Sequence, residues 1–411
     1  MNSLLSSADA IALEEKYGAH NYHPLPVVLT KGEGVYVWDV EGKKYYDFLS
    51  AYSAVNQGHC HPKLVEALTT QAQQLTLTSR AFYNDKLGVY EEKITKLFGF
   101  DKVLPMNSGA EAVETALKLT RKWAYEVKGT PEDQAVIVVC ENNFHGRTTT
   151  IISFSNDPDA RKNYGPYTEG FVRIPYNDIT ALKEVLANKN VAGFLVEPIQ
   201  GEAGVFVPND GYLAQAYALC KENNVLFIAD EVQTGIARTG KLLAVDHENI
   251  KPDVLVLGKA LSGGMYPVSA VLANDDIMGV IKPGQHGSTF GGNPLAAAVA
   301  MAALDVVIDE KLAENAEQMG VLFRKKINEY IQQSNICTLV RGKGLLNAIV
   351  INDTEESDTA WNICLRLRDN GLLAKPTHGN IIRFAPPLVM NEEQILDCVR
   401  IITDTLKEFE R

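Results

Sequence analysis

An α/β fold is predicted for this chain, with a mostly parallel central sheet in a large domain and a smaller α+β domain after it. Three observations predict it. Runs rich in Val, Ile and Leu at 136–139, 191–196, 225–229 and 254–258 show no polar alternation, as expected of strands covered on both faces. Helix-period segments separate several of the runs, which sets strands side by side as parallel neighbours. The chain is 411 residues long, beyond what one ordinary core organises, so two domains are expected.

Each element has a local reason. Residues 34–48 alternate apolar and polar side chains around Glu41-Gly42 and predict a hairpin. Helical spacing covers 61–77 and 86–98. Gly58-His59-Cys60-His61-Pro62 offers metal-ligating side chains without a matching second half, so it reads as a turn opening the helix at Pro62. From Pro294 an Ala-rich helix over 295–308 leads into further helix, strand and helix patterns that run to about Glu410. The expected division is an N-terminal segment over 1–55 packing with the small domain, a large domain over 56–293 and the small domain over 294–411.

Composition excludes several functions. The net charge of −12, with no basic stretch, argues against nucleic acid and anionic membrane surfaces as partners. The six cysteines form no CxxC pair, which suits reduced thiols. No apolar run approaches membrane length, and the first residues lack a basic n-region and an apolar core. The cytoplasm is therefore the expected location.

Two of the buried runs end in chemistry. The run 225–229 is followed by Asp230, and 254–258 by Lys259, so both groups are expected at the carboxyl edge of the sheet, where α/β proteins bind ligands. A lysine for a Schiff base and an acid for a pyridine nitrogen are what pyridoxal phosphate requires of a protein; two unrelated edge charges are the plain alternative. Ser108-Gly109-Ala110 opens a strong helix whose free amides and positive dipole end suit a phosphate. The same residues, with Glu111, also read as an ordinary capping box. Ser288-Thr289, before the Ala-rich helix, offers further donors or a simple turn. Phe144 is placed to stack on a planar ring or to pack in the core, and Gln233 to reach the ring's phenolic oxygen.

Taken together, Ser108-Gly109-Ala110-Glu111-Ala112, Phe144-His145-Gly146-Arg147, Asp230-Glu231-Val232-Gln233-Thr234-Gly235 and Lys259-Ala260-Leu261-Ser262-Gly263-Gly264 resemble the class III, pyridoxal-phosphate-dependent aminotransferases of fold type I. The resemblance runs in order from about Tyr17 to the C-terminus. It implies Lys259 and Asp230 as catalytic residues. It further implies a cofactor held by Ser108, Gly109, Ala110, Phe144, Gln233, Ser288 and Thr289 as well, and a homodimer in which Thr289 reaches the neighbouring site.

Residues 18–26, 51–59 and 263–270 are similar to those members that move the δ-amine of L-ornithine to 2-oxoglutarate, giving L-glutamate 5-semialdehyde and L-glutamate. On that resemblance, Arg383 holds the α-carboxylate of glutamate and Arg147 the distal one, as bidentate clamps. Glu202 pairs with Arg383 while ornithine is bound, and Tyr22 and Tyr52 contact ornithine's α-amino acid end. Surface ion pairs and aromatic packing are the plain readings of these side chains. Members acting on N-acetylornithine or 4-aminobutyrate share Lys259, Asp230, Gln233 and Arg383. A non-catalytic protein sensing the cofactor or an amine is the rival from another class.

Overall fold

The computed structural model describes residues 6–410. Near the N-terminus, β1 (Leu29–Glu33), β2 (Tyr36–Asp39) and β3 (Lys44–Asp47) form an antiparallel meander, and the β2–β3 turn passes through Gly42 at a φ of 87°. The central sheet contains β4 (Lys102–Met106), β5 (Val136–Cys140), β6 (Phe171–Ile174), β7 (Val191–Val196), β8 (Leu226–Asp230), β9 (Val254–Leu257) and β10 (Ser269–Ala273). Its order is β4-β10-β9-β8-β7-β5-β6, and only β10 runs antiparallel to its neighbours.

The missing polar alternation in these strands has a direct cause. Val138, Phe194, Phe227, Leu255 and Leu272 point into one core, while Ile137, Val139, Leu195, Ile228 and Val256 point into another on the opposite face. Helix Gly109–Trp123 covers the second face; Tyr212–Glu222 and Pro294–Asp309 contribute to the first. Helix Pro294–Asp309 also packs on helices Pro62–Ala72 and Leu87–Phe98.

The C-terminal part adds β11 (Cys337–Lys343), β12 (Leu346–Ile351), β13 (Leu372–Leu373), β14 (Lys375–His378) and β15 (Ile381–Phe384). The sheet β11-β12-β15-β14 is antiparallel, whereas β13 leaves it and pairs in parallel with β3. A fully buried guanidinium ties three segments together. Arg238 donates to Leu345 O at 3.0 Å, to Pro386 O and to Asn56 Oδ1, and Asn56 Nδ2 returns a bond to Ile236 O at 2.7 Å. Burial pulls the Arg238 guanidinium down to about 9.

One expectation is corrected in detail. The helix expected over 61–77 starts on Pro62 but stops at Ala72, because Gln71 turns its amide onto Leu75 O at 2.8 Å and closes the chain into a turn. His59 and His61 are engaged by carboxylates, Asp47 at 2.7 Å and Glu310 at 3.0 Å. Among the described residues no helix is long and apolar enough to cross a membrane.

Helix Leu312–Ile331 meets the β11–β12 turn backbone to backbone at Gly320, where a Cβ would stand 1.8 Å from Gly344 O. Gly320→Ala should therefore lower stability by roughly 2–3 kcal/mol despite alanine's better helix propensity. Urea unfolding checks this; an unchanged or raised midpoint refutes it.

Candidate active site

β8 and β9 are parallel, with Asp230 opposite Val256, so Asp230 and Lys259 leave the sheet at the same carboxyl edge. Lys259 holds a φ of 43°, a left-handed conformation that costs a non-glycine residue on the order of 1 kcal/mol. A cavity of ≈ 170 Å³ opens there, lined by residues that include Gly109, Phe144, Glu197, Glu202, Gln233 and Lys259.

At one end stands the first turn of helix Gly109–Trp123. Gly109 and Ala110 line the cavity, and their amides are among the first-turn donors that a helix leaves unsatisfied. A Cβ on Gly109 would lie 2.9 Å from Val232 Cγ1, so this position has no room for a side chain. Ser108 itself serves as the cap: its Oγ accepts from Glu111 N at 3.2 Å, and its own N–H donates to Glu111 Oε2 at 2.7 Å. Ser288 Oγ accepts from Asn107 Nδ2 at 2.9 Å and from Gly291 N at 3.0 Å. Thr289 is exposed, and neither it nor Ser288 lines the cavity.

At the floor, Asp230 Oδ2 lies 2.6 Å from His145 Nδ1, and Asp230 Oδ1 accepts from Val232 N at 3.0 Å. Glu197 ends the β7 run and accepts the Phe144 N–H at 2.8 Å, which fixes the Phe144 backbone at the rim. His145 and Glu197 are buried functional groups that sequence reasoning missed. The strand-end logic that finds Asp230 also finds Glu197, the first residue after the fully buried run 191–196. Burial raises the Glu197 carboxyl to about 7, although His145 works against it. Burial alone would lower His145, but its bond to Asp230 outweighs this and the imidazole is raised. Burial holds the Lys259 amine below its ordinary range against the pull of Glu202 and Asp230.

The far wall is an ion pair. Arg383, buried on β15, donates from Nη1 to Glu202 Oε1 at 2.6 Å, and Gln233 Nε2 donates to the same oxygen at 2.8 Å. Burial would raise Glu202, yet Arg383, Lys259 and these hydrogen bonds hold it down at about 2. The Arg383 guanidinium sits 5.1 Å from the centroid of the Tyr52 ring. Tyr52 belongs to a left-handed turn: Ser50, Ala51, Tyr52 and Ser53 have φ of 47°, 48°, 60° and 68°. Asp47 Oδ1 pins its entry by accepting the N–H groups of Leu49 and Ser50, both at 2.9 Å.

The structure thus gathers Lys259, Asp230, Gln233, Phe144, Gly109, Ala110 and Glu202 around one cavity, with Arg383 and Tyr52 on its Glu202 side. It leaves others outside. Arg147 is exposed, 5.8 Å from the Phe144 ring centroid and 3.9 Å from Asp157. Tyr22 is exposed in a neighbouring groove with His23 and Trp361.

Pyridoxal phosphate fits the residues present. His145 Nε2 and Gln233 Oε1 are buried without a partner at the cavity, while Gly109 and Ala110 offer amides and Lys259 a desolvated amine. These residues, with Asp230 and Phe144, would hold it.

The chain belongs to the aminotransferase class-III family, whose model matches residues 17–406, and is a pyridoxal-phosphate-dependent aminotransferase. It is 65% identical over 395 residues to the mitochondrial ornithine aminotransferase of Drosophila melanogaster, covering 96% of this chain and 90% of that one. The ornithine aminotransferase structure from Toxoplasma gondii superposes with a TM-score of 0.97 at 49% identity, over 99% of this chain and 96% of that one. A crystal structure described as acetylornithine aminotransferase from Elizabethkingia anophelis is 70% identical with a TM-score of 0.91, over 98% of this chain and 100% of that one.

The raised Glu197 carboxyl sets a testable pH dependence. Its folded-state value, about 7, lies above the ordinary 4.5, so ionising it in the folded protein costs stability. That cost is absent at low pH, grows as pH rises from the unfolded value and is complete above 7. Glu197→Gln removes it, so the variant should gain on the order of 2 kcal/mol relative to the parent on going from pH 5 to pH 8. Urea unfolding at both pH values checks this, and an equal effect at both refutes it.

Proposed function

We propose that the chain is an ornithine δ-aminotransferase, moving the terminal amine of L-ornithine to 2-oxoglutarate to give L-glutamate 5-semialdehyde and L-glutamate. The observation that carries this reading is the Glu202–Arg383 pair beside Tyr52. Ornithine must direct its terminal amine at Lys259 and keep its α-carboxylate away from the reacting centre, so a masked Arg383 suits it. Glutamate and 2-oxoglutarate must present their α carbon, and a bared Arg383 offers their α-carboxylate a bidentate clamp. Tyr52, and Tyr22 in the neighbouring groove, are proposed to receive ornithine's α-amino acid end. Arg147 is proposed to take the distal carboxylate of glutamate. The names carried by the Drosophila and Toxoplasma relatives support the same substrate.

When bound, the cofactor supplies an aldehyde to take up the amino group and a ring that accepts electron density from the substrate carbon. The chain's residues do the rest. Asp230, oriented by His145, would keep a proton on the ring nitrogen; Phe144 would pack against the ring; Gly109 and Ala110 would hold the phosphate. The Lys259 amine, lowered by burial, would take the proton from the substrate carbon and deliver it to the cofactor's aldehyde carbon, the net shift that amine transfer requires.

The name of the Elizabethkingia structure favours a second reading, with N-acetylornithine as the amine donor. Mixing the holoprotein separately with L-ornithine, N-acetylornithine and 4-aminobutyrate, with no oxo acid present, distinguishes them. Ornithine should bleach the cofactor absorbance band at least roughly 10-fold faster than the other two, releasing glutamate semialdehyde. A faster response to N-acetylornithine moves the donor and leaves the rest of the site in place. Lys259→Ala should retain the cofactor noncovalently while losing at least about 10³-fold in transamination rate. Near-parental turnover in that variant refutes the role of Lys259.

A homodimer is proposed, with Thr289, exposed here, reaching the phosphate of the neighbouring site. The cytoplasm is the proposed location, supported by six free cysteines, five of them buried. The Drosophila relative is described as mitochondrial, and cell fractionation decides between the two.

A further inference from the structure

Glu202 lies in the 201–206 loop, which crosses from the central sheet to the antiparallel sheet that carries Arg383. The loop is held at several points. Gln200 and Phe206 exchange backbone hydrogen bonds at 3.1 and 3.0 Å, Gly201 O accepts from Gly204 N and Val205 N at 3.2 Å each, and Thr377 Oγ1 donates to Glu202 O. Val205 is fully buried and holds a φ of 57°. For a β-branched residue that conformation is an outlier, maintained only where its surroundings over-determine it. Val205 packs with Ile199, Leu346 and Ile381, and Ile381 stands two residues before Arg383 on the same strand.

Arg341 on β11 reaches the same loop from the small sheet. Its Nε donates to Gly204 O at 2.9 Å, and its guanidinium lies 3.9 Å from the centroid of the Phe206 ring. Its Nη2 is buried with no hydrogen-bond partner, next to the α-hydrogens of Gly204, where a Cβ would stand 3.0 Å away. A buried guanidinium nitrogen without a partner is costly, and no step of the reaction above uses it. What it does is geometric: it presses the crest of the Glu202 loop onto the sheet that carries Arg383.

We propose that Arg341 is a positioning residue that sets substrate preference, clamping the 201–206 loop so that Glu202 stays on Arg383 and the arginine opens only to a substrate carboxylate that displaces it. This rests on the reading of Glu202 and Arg383 given above. Without the clamp, the Glu202 carboxylate is less confined to one position, and an incoming α-carboxylate competes with a weaker internal rival. The Arg341 effect should therefore be opposite in sign for the two kinds of substrate. A residue that merely supports the fold would change both alike.

The test compares the parent holoenzyme with Arg341→Met, which keeps the aliphatic stem, and with Phe206→Leu, which removes the ring under the guanidinium. Glu202→Ala serves as the reference for complete unmasking. Calorimetric titration with glutarate, an unreactive dicarboxylate, reads access to Arg383 without turnover. Single-turnover reaction with L-glutamate and with the amine donor reads the two half-reactions separately. Arg341→Met should bind glutarate roughly 5-fold tighter, in the direction of Glu202→Ala, and raise the ratio of glutamate to donor reactivity by a similar factor. Phe206→Leu should shift both quantities the same way by less.

Glutarate affinity and the reactivity ratio both within twofold of the parent in Arg341→Met would overturn the proposal, as would equal losses in both half-reactions. If Glu202→Ala itself leaves glutarate binding unchanged, the masking role of Glu202 fails, and the Arg341 inference falls with it. If the parent prefers N-acetylornithine, only the donor assignment fails, because the glutarate and glutamate measurements do not depend on the donor.

Discussion

Charged groups have been brought together where little water can reach them, and the surrounding structure follows from the need to partner each one. Asp230, His145, Glu197 and Arg383 are all buried, with Lys259 and Glu202 beside them at the cavity. A buried charge deprived of its partner costs roughly 3–5 kcal/mol, so none of these side chains can be moved alone. The partners come from different elements: His145 follows β5, Asp230 ends β8, Lys259 follows β9, and Arg383 sits on β15. The electrostatic requirement therefore also joins the central sheet to the C-terminal one. Arg238 makes a second such joint with neutral acceptors, the carbonyls of Leu345 and Pro386 and the amide of Asn56.

Part of the backbone strain lies at the same place. Lys259, the Ser50–Ser53 turn and Val205 all hold positive φ, each costing on the order of 1 kcal/mol or more. Every one lies beside a group facing the cavity or is that group. The surroundings that hold them are identifiable: Asp47 grips the entry to the Tyr52 turn, and the Ile199–Val205–Ile381 cluster holds the Glu202 loop. Core packing that elsewhere only stabilises the fold is used here to fix side chains in positions they would not adopt in a free chain.

The strands were legible in the sequence because burial on both faces removes polar alternation, a property of each run by itself. Asp230 and Lys259 were legible for a related reason, since each ends such a run, and Glu197 obeys the same rule. What no local pattern revealed was pairing over distance, and the Glu202–Arg383 pair was expected only from the family resemblance. His145 meets Asp230 across 85 positions and Arg383 meets Glu202 across 181, and no local pattern encodes either contact. The left-handed turn at Tyr52 was hidden too, because Ser-Ala-Tyr-Ser contains no glycine to signal it. Helix ends followed side-chain bonds such as Gln71 to Leu75 rather than periodicity, which explains the early stop at Ala72.

The depressed Glu202 carboxyl bears on how the two substrates proposed above would share one site. With a folded-state value of about 2 against an ordinary 4.5, its ionised form contributes stability at every pH above the unfolded value. That contribution is lost only as pH falls towards 2. Protonation therefore does not uncover Arg383 under ordinary conditions. On the proposed reading, the mask would yield to an anion that binds Arg383 better than Glu202 does, because a ligand shifts an equilibrium only by its differential affinity for the two states. A dicarboxylate whose α-carboxylate reaches Arg383 has that advantage. A substrate whose carboxylate is held elsewhere gains nothing from displacing Glu202 and finds a neutral wall. On the proposed reading, discrimination depends on the strength of an internal ion pair, and any residue that sets the position of the Glu202 loop would also set which substrate the arginine recognises.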